Sequence, residues 1–269
     1  MAEGIPRIAL GRTGLQVTRL GIGGAYCRTV EGYRAALDCG VNYLDTAHDY
    51  LNGEDEQLIG HAIAGRRHKL VLATKTQRRD AAGARAELEQ SLRSLRTDYI
   101  DIWQIHYLNT EAERAQVLGP GGTMEAAVRA REQGLVRFIG VTGHDWAEVG
   151  KAVATGLFDT VLCWYNCAMK EPESLIFPHA VAQGTGVIIM SAARQEKLFS
   201  AEDDPPMVDF YRYVLSHPAV HVTLMALRSE ERFCRVARGI AERPTLTAEE
   251  QRRLEAYGSA MRTAGLLEL

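Results

Sequence analysis

The chain is expected to fold as a single (β/α)8 barrel, and three observations lead there. Eight short runs rich in β-branched residues alternate with eight amphipathic stretches, the rhythm of parallel strands joined by crossover helices. Each strand–helix pair takes about 30 residues, as such a unit requires. Residues 1–269 are then consumed by the eight units, a leading hairpin and one trailing helix, although a prior of roughly 150 residues per domain would also admit two domains.

Taken in order, a hairpin over Ile8–Arg19 turns at Arg12-Thr13-Gly14, where glycine supplies the turn conformation. Strands are expected at Leu20–Gly24, Val41–Ala47, Leu70–Thr76, Ile100–Tyr107, Val136–Gly143, Thr160–Asn166, Gly186–Ala192 and Val220–Leu227. Helices are expected at Glu31–Cys39, Glu54–Ala64, Ala81–Leu95, Met124–Gln133, Ala147–Thr155, Leu175–Gln183, Val208–Ser216 and Glu230–Ile240. Gly40, Gly65, Gly134, Gly156 and Gly184 mark the ends of several. A capping box at Thr247 and Glu250 announces the trailing helix, with Leu254, Tyr257 and Met261 at helical spacing. An open doubly wound sheet would need a Gly-x-Gly-x-x-Gly turn after the first strand. Gly21-Ile22-Gly23 begins one, but Tyr26 stands where the third glycine belongs.

At 46% hydrophobic and 24% charged residues, the composition is that of a globular domain with a large core. A net charge of −3 gives no electrostatic case for binding nucleic acid or an anionic membrane. The five cysteines are odd in number and include no C-x-x-C pair, so a reduced, disulfide-free protein without a thiolate metal site is expected. The N-terminal residues carry no apolar leader and no run is long enough to span a bilayer, which with the cysteines points to a soluble, cytoplasmic protein. Arg66-Arg67, Arg78-Arg79 and Arg252-Arg253 read as solvated surface. Oligomeric state is not legible.

In a barrel, chemistry sits at the C-terminal ends of the strands. The second strand ends in Asp45, with Tyr50 five residues on; the third ends in Lys75 and the fourth in His106. A carboxylate, a phenol, an amine and an imidazole are therefore expected on one rim. A phenol of ordinary pKa near 10 is a poor acid at neutral pH, and an adjacent ammonium stabilises its phenolate. Asp45 would orient Lys75, and His106 would polarise a substrate carbonyl beside the Tyr50 hydroxyl. Such a site protonates a developing alkoxide but supplies no reducing equivalents, so a reduced cofactor is implied. His48, His106 and His144 lack the spacing of a zinc motif, and no metal is expected. Cys163 and Cys167 read as structural. Tyr26, in the first βα loop, and Tyr107, beside His106, are the substrate-contact candidates.

At these residues the sequence resembles the aldo-keto reductase superfamily: Asp45-Thr46-Ala47-His48-Asp49-Tyr50 is similar to its Asp-Thr-Ala-x-x-Tyr motif, and Gly134–Thr142 to its Gly-Lys-x-Arg-x-Ile-Gly-Val-Ser stretch. The resemblance implies a catalytic tetrad of Asp45, Tyr50, Lys75 and His106, with Tyr50 the proton donor in NAD(P)H-dependent interconversion of a small aldehyde or ketone with its alcohol by direct hydride transfer. Thr142 would hold the nicotinamide carboxamide, while Gly143 replaces the family's asparagine and Leu162 its glutamine, with Asn166 available to compensate. Met190 replaces the aromatic platform under the nicotinamide. Ser191, Arg194, Arg228, Ser229 and Arg232 match the positions that hold the adenosine phosphate. Arginines at a helix start suit a bound anion and favour NADP over NAD, against which Glu230 and Glu231 would repel a 2′-phosphate they faced. The cysteine cluster of the superfamily's iron–sulfur members is absent. The same barrel is also compatible with a nucleotide-binding regulatory protein of little turnover, or with a lyase or isomerase. The longer connections, Thr110–Thr123 and Arg194–Met207, are the expected specificity elements.

Overall fold

The structure is a computed structural model describing residues 4–198 and 205–265. Strands β1 (Arg7–Ala9) and β2 (Gln16–Thr18) form the antiparallel hairpin. Eight parallel strands follow: β3 (Leu20–Gly23), β4 (Tyr43–Asp45), β5 (Val71–Thr76), β6 (Ile100–Ile105), β7 (Val136–Thr142), β8 (Thr160–Trp164), β9 (Gly186–Met190) and β10 (Val222–Ala226). They pair in sequence order, and β10 closes on β3. Around them lie α1 (Val30–Asp38), α2 (Glu54–Ala62), α3 (Ala81–Leu95), α4 (Glu111–Leu118), α5 (Thr123–Glu132), α6 (Trp146–Ala154), α7 (Pro172–Leu175), α8 (Phe177–Gln183), α9 (Met207–Ser216), α10 (Glu230–Glu242) and α11 (Ala248–Thr263).

Local chemistry explains these boundaries. Thr29, Asp80, Asp145 and Ser229 each accept a backbone N–H at a helix start. Gly40, Gly65, Gly134, Gly156 and Gly184 take the left-handed conformations that their positions after helices require. Thr247 and Glu250 form the expected capping box of α11. The region expected as one helix over Leu175–Gln183 is divided at Ile176, because Pro178 has no N–H to give and its ring would clash with the carbonyl four residues earlier.

Two layers of core result. Inside the barrel, Tyr43, Val71, Ile102, Leu162, Ile188, Val222 and Leu224 pack with Leu10, Leu15 and Val17 of the hairpin, which closes the barrel floor. Burying Leu10 alone contributes about 2 kcal/mol. Gly11, at φ 48°, lies so close to β9 that a Cβ there would be 2.5 Å from the Gly184 carbonyl and the Gly186 nitrogen. Arg12 pins the hairpin from outside, bonding Asp159 and the Gly156 carbonyl. Outside the barrel, Trp103 and the other outward strand residues pack under the helices.

Three expectations are corrected. Cys39, capping α1, and Cys234, in α10, are joined in a disulfide, their Cα atoms 5.7 Å apart. The odd cysteine count conceals this pair, because the two positions meet only when α10 closes the barrel against α1. Cys27, Cys163 and Cys167 are buried and free, and burial pushes the Cys167 thiol up to about 12. The connection Thr110–Thr123 holds a helix that the expected set lacks, α4, which starts behind a capping box of Thr110 and Glu113. Arg67 and Arg79 are not solvated: Arg67 pairs with Asp101 at 2.8 Å and lies over the Tyr99 ring, and Arg79 is turned toward the barrel rim. Among the described residues no helix is long and apolar enough to cross a membrane, and no group of three potential ligands is placed to hold a metal ion.

Candidate active site

Asp45 ends β4, Lys75 is the next-to-last residue of β5, His106 follows β6, and Tyr50 comes from the loop after β4. The Lys75 ammonium spends its three protons on three acceptors: Asp45 Oδ1 at 2.5 Å, the Thr46 carbonyl at 2.6 Å and the Tyr50 hydroxyl at 3.3 Å. The second carboxylate oxygen of Asp45 accepts from Gln104 Nε2 at 2.6 Å. Thr46 is itself anchored, its hydroxyl donating to Asp55 Oδ2, while Asp55 Oδ1 accepts from Tyr33 OH, both at 2.6 Å. Tyr50 is turned toward the cleft by a left-handed run at Leu51, Asn52 and Gly53, of φ 52°, 57° and 89°.

Burial sets the protonation states. It raises the Asp45 carboxyl despite the opposing pull of Lys75 and Gln104. It works to lower the Lys75 ammonium, but Asp45 and Tyr50 outweigh it and the net shift is upward. For Tyr50 burial again dominates: Lys75 pulls the phenol down as expected, yet the net direction is up. The expected stabilisation of the phenolate by Lys75 is present but outweighed, since desolvation of the phenolate exceeds what one shared ammonium returns. Tyr50 stays a phenol through the neutral range, with its proton available to give. Burial, then Lys75, His144 and Arg79, depress His106 to about 2, so its imidazole is neutral. Among the described residues its buried Nδ1 has no hydrogen-bond partner, and the Asp49 carboxylate is 3.9 Å away.

Beyond His106 the wall is aromatic. Tyr107 stacks on His106 at 3.8 Å between centroids, meets His144 edge-on at 5.1 Å, and His144 stacks on Trp164 at 4.2 Å. The Arg194 guanidinium lies 4.7 Å over the Trp164 ring. On the opposite side Arg228 covers the Tyr26 ring at 4.2 Å. A cleft of about 270 Å³ runs between these walls, and Asp45, Tyr50, Tyr26, Tyr107, Met190, Ser191 and Arg228 all line it.

Other sequence-derived candidates lie elsewhere. Thr142 is buried at the end of β7. Asn166 does not line the cleft; its amide braces the loops after β8 and β9, donating to the Ser191 carbonyl and accepting from the Ala168 nitrogen. Ser229 caps α10, and Arg232 on its first turn pairs with Glu196 at 3.3 Å. Of the Arg194–Met207 connection, residues 199–204 lie outside the described residues. Gly143 has no room for a side chain: a Cβ would be 2.4 Å from the Leu108 carbonyl and 2.7 Å from Val149. Two residues that the sequence reading passed over belong to the site's frame, Gln104 at Asp45 and Arg79 at the backbone of His106 and Tyr107. Nothing in the sequence distinguishes either from barrel filling or surface charge.

Comparison with known proteins finds similar sequences and similar folds. A model of the Aldo/keto reductase family matches residues 26–210. Aldo-keto reductase YhdN of Bacillus subtilis (strain 168) is 32% identical over 191 residues, a stretch covering 62% of this chain and 56% of that protein. This chain thus matches little more than half the length of that relative. Among solved structures, an aldo-keto reductase from Bacillus halodurans in its holo form superposes with a TM-score of 0.83 at 23% identity, covering 94% of this chain and 96% of the other. An aldo-keto reductase from Klebsiella pneumoniae in complex with NADPH gives a TM-score of 0.80 at 23% identity, covering 96% of each chain.

Proposed function

The chain belongs to the aldo/keto reductase family, and from that premise we propose that it is an NADP(H)-dependent oxidoreductase interconverting a small aldehyde or ketone with the corresponding alcohol. The observation that carries this reading is the placement of the buried Lys75 Nζ between Asp45 and the Tyr50 hydroxyl, the two residues of the group that line the cleft. Tyr50 gives its proton to the carbonyl oxygen as that oxygen becomes an alkoxide. Lys75, kept charged by Asp45, stabilises the phenolate that remains. The neutral imidazole of His106 offers one N–H to the same oxygen and fixes it near Tyr50. When bound, the reduced nicotinamide supplies the electron pair and the hydrogen that are added at the carbonyl carbon.

The residues present suit such a dinucleotide. At the start of α10, the Ser229 hydroxyl, Arg228 and Arg232 combine with the unsatisfied N–H groups of the first turn, a donor set fitted to a phosphate monoester. Ser191, which lines the cleft, and Arg194, over the Trp164 ring, would contribute to holding the dinucleotide from the loop after β9. Met190 lines the cleft as an apolar, polarizable surface for the nicotinamide, and Thr142, buried at the end of β7, would hold its carboxamide. The NADPH complex of the Klebsiella relative supports NADP over NAD. Tyr26 and Tyr107, both lining the cleft, would bound the substrate side. A cytoplasmic setting goes with that cofactor, although the Cys39–Cys234 disulfide weighs against a reducing compartment.

The test is direct. NADPH and NADH are titrated by fluorescence, and absorbance at the nicotinamide band is followed with a panel of aldehydes and ketones. Tight NADPH binding and oxidation are expected, and Tyr50→Phe should abolish turnover by roughly 100-fold or more while leaving NADPH affinity intact. Absence of nucleotide binding would end the redox reading. Binding without turnover would favour a regulatory protein, and turnover unchanged in Tyr50→Phe would remove Tyr50 from its role.

A further inference from the structure

Gln104 lies inside the barrel on β6, two residues before His106 and beside Lys75 in the strand register. It is fully buried. Its Nε2 donates to Asp45 Oδ2 at 2.6 Å, while Lys75 holds Asp45 Oδ1 at 2.5 Å. Each oxygen of the carboxylate therefore has its own donor from a different strand, and its plane is set by two bonds, not one.

The rest of this side chain argues against a filling role. Gln104 Oε1 is buried and has no hydrogen-bond partner among the described residues. A buried acceptor left unpaired is costly, and an aliphatic side chain of similar size would fill the same space without that cost. The neighbouring strand also makes room for the amide. Gly140 on β7 is the register partner of Gln104, and a Cβ there would stand 2.8 Å from Gln104 Cγ and 2.6 Å from Thr160 Oγ1. The glycine, the unpaired oxygen and the short bond to Asp45 have one explanation in common.

We propose that Gln104 is a positioning residue for the proposed reaction, fixing the Asp45 carboxylate so that Lys75 stays aimed at the Tyr50 hydroxyl, with Gly140 as the gap that lets it reach. The inference rests on the reductase reading for its kinetic consequences but not for the contact itself. The charged and titratable groups around Asp45 are Lys75 from β5, Tyr43 from its own strand, Asp55 from α2 and Tyr50 from the following loop. Gln104 and Lys75 favour the ionised form, and burial and Asp55 oppose it. Removing the Gln104 donor leaves Lys75 alone against that opposition, so Asp45 takes up a proton more readily and the acid limb of activity moves to higher pH.

Two variants test this in the whole protein: Gln104→Leu removes the donor, and Gly140→Ala displaces it while leaving it in place chemically. Carbon-13 NMR of labelled aspartate follows the Asp45 carboxyl, assigned by its loss in Asp45→Asn. In both variants the Asp45 titration should move upward relative to wild type. The acid limb of kcat should shift the same way, with kcat near neutral pH down by about tenfold and KM for the carbonyl substrate nearly unchanged. A purely structural glutamine predicts a lowered unfolding temperature with the Asp45 titration and acid limb superimposable on wild type, and that result would overturn the proposal. Should Gln104→Leu fail to fold, Gly140→Ala decides alone. Should wild type reduce no carbonyl, the reductase reading fails while the NMR titration still decides whether Gln104 governs Asp45.

Discussion

Arg79 holds Tyr107 by its backbone, Nη2 donating at 2.8 Å to the Tyr107 carbonyl and at 2.8 Å to that of His106. Glu113, in the capping box of α4, accepts from the same nitrogen at 3.3 Å. Tyr107 sits at φ 53°, a conformation costing a bulky residue about 1–3 kcal/mol. The clamp is what keeps the Tyr107 ring stacked on His106 and not swung out along an extended strand end. Arg79→Ala is expected to release both carbonyls, let Tyr107 relax and loosen the imbedded imidazole. A roughly 10- to 100-fold loss of kcat should follow, because misplacement of about 1 Å costs that much in a preorganised site. NADPH affinity should hold, since Arg79 lies away from α10. Full activity in Arg79→Ala would show that the Tyr107 turn stands without it.

How legible this site is in the sequence depends on how local each signal is. Asp45 and Tyr50 stand five apart in one segment, and the strand-end rule brings in Lys75 and His106, so four groups from three strands were within reach of pattern alone. Arg79 was not, because an arginine pair before a helix has the same composition whether it faces water or two carbonyls. Gln104 looks like any inward residue of a barrel strand until its partner across the barrel is known. The α4 helix had a readable sign, for Thr110 and Glu113 have the spacing that identified the start of α11 at Thr247 and Glu250. Cys39 and Cys234 had none, since their meeting depends on closure of the entire barrel.

That closure suggests a stability test. The disulfide joins positions 195 residues apart, α1 to α10, across the seam where β3 meets β10. On the chain-entropy argument a loop of this length stabilises the folded state by about 5 kcal/mol, an upper figure where the unfolded chain stays compact. Both sulfurs belong to half-buried residues, so a dithiol reductant can reach them. Urea unfolding should move to lower midpoint when the protein is reduced, and a Cys39→Ser/Cys234→Ser double variant should match the reduced protein and ignore the reductant. Thiol titration of the unfolded, unreduced protein should count the three free cysteines, Cys27, Cys163 and Cys167; a count of all five would refute the pairing.

His106 links the site to acid stability. Its imidazole is depressed from an ordinary 6.5 to about 2 in the folded protein, chiefly by burial and then by Lys75. Below pH 6.5 the unfolded chain therefore binds a proton that the folded chain refuses. The stabilisation is present in full above the unfolded pKa and is lost as pH falls toward the folded one, at about 1.4 kcal/mol per pH unit. His144, His217 and His221 are shifted in the same direction and add to the trend. Unfolding free energies measured between pH 5 and pH 7 should fall steeply on the acid side, and His106→Asn should reduce that slope by close to one proton. Taking the difference between the two proteins cancels the groups they share. The same depression keeps His106 neutral in the folded protein around neutral pH, so it contributes no acid limb near 6.5 to kcat. A kinetic pKa near 6.5 that disappears in His106→Asn, with no change in the slope of stability, would mean that the ring is solvated and charged, and would overturn its role as a neutral donor.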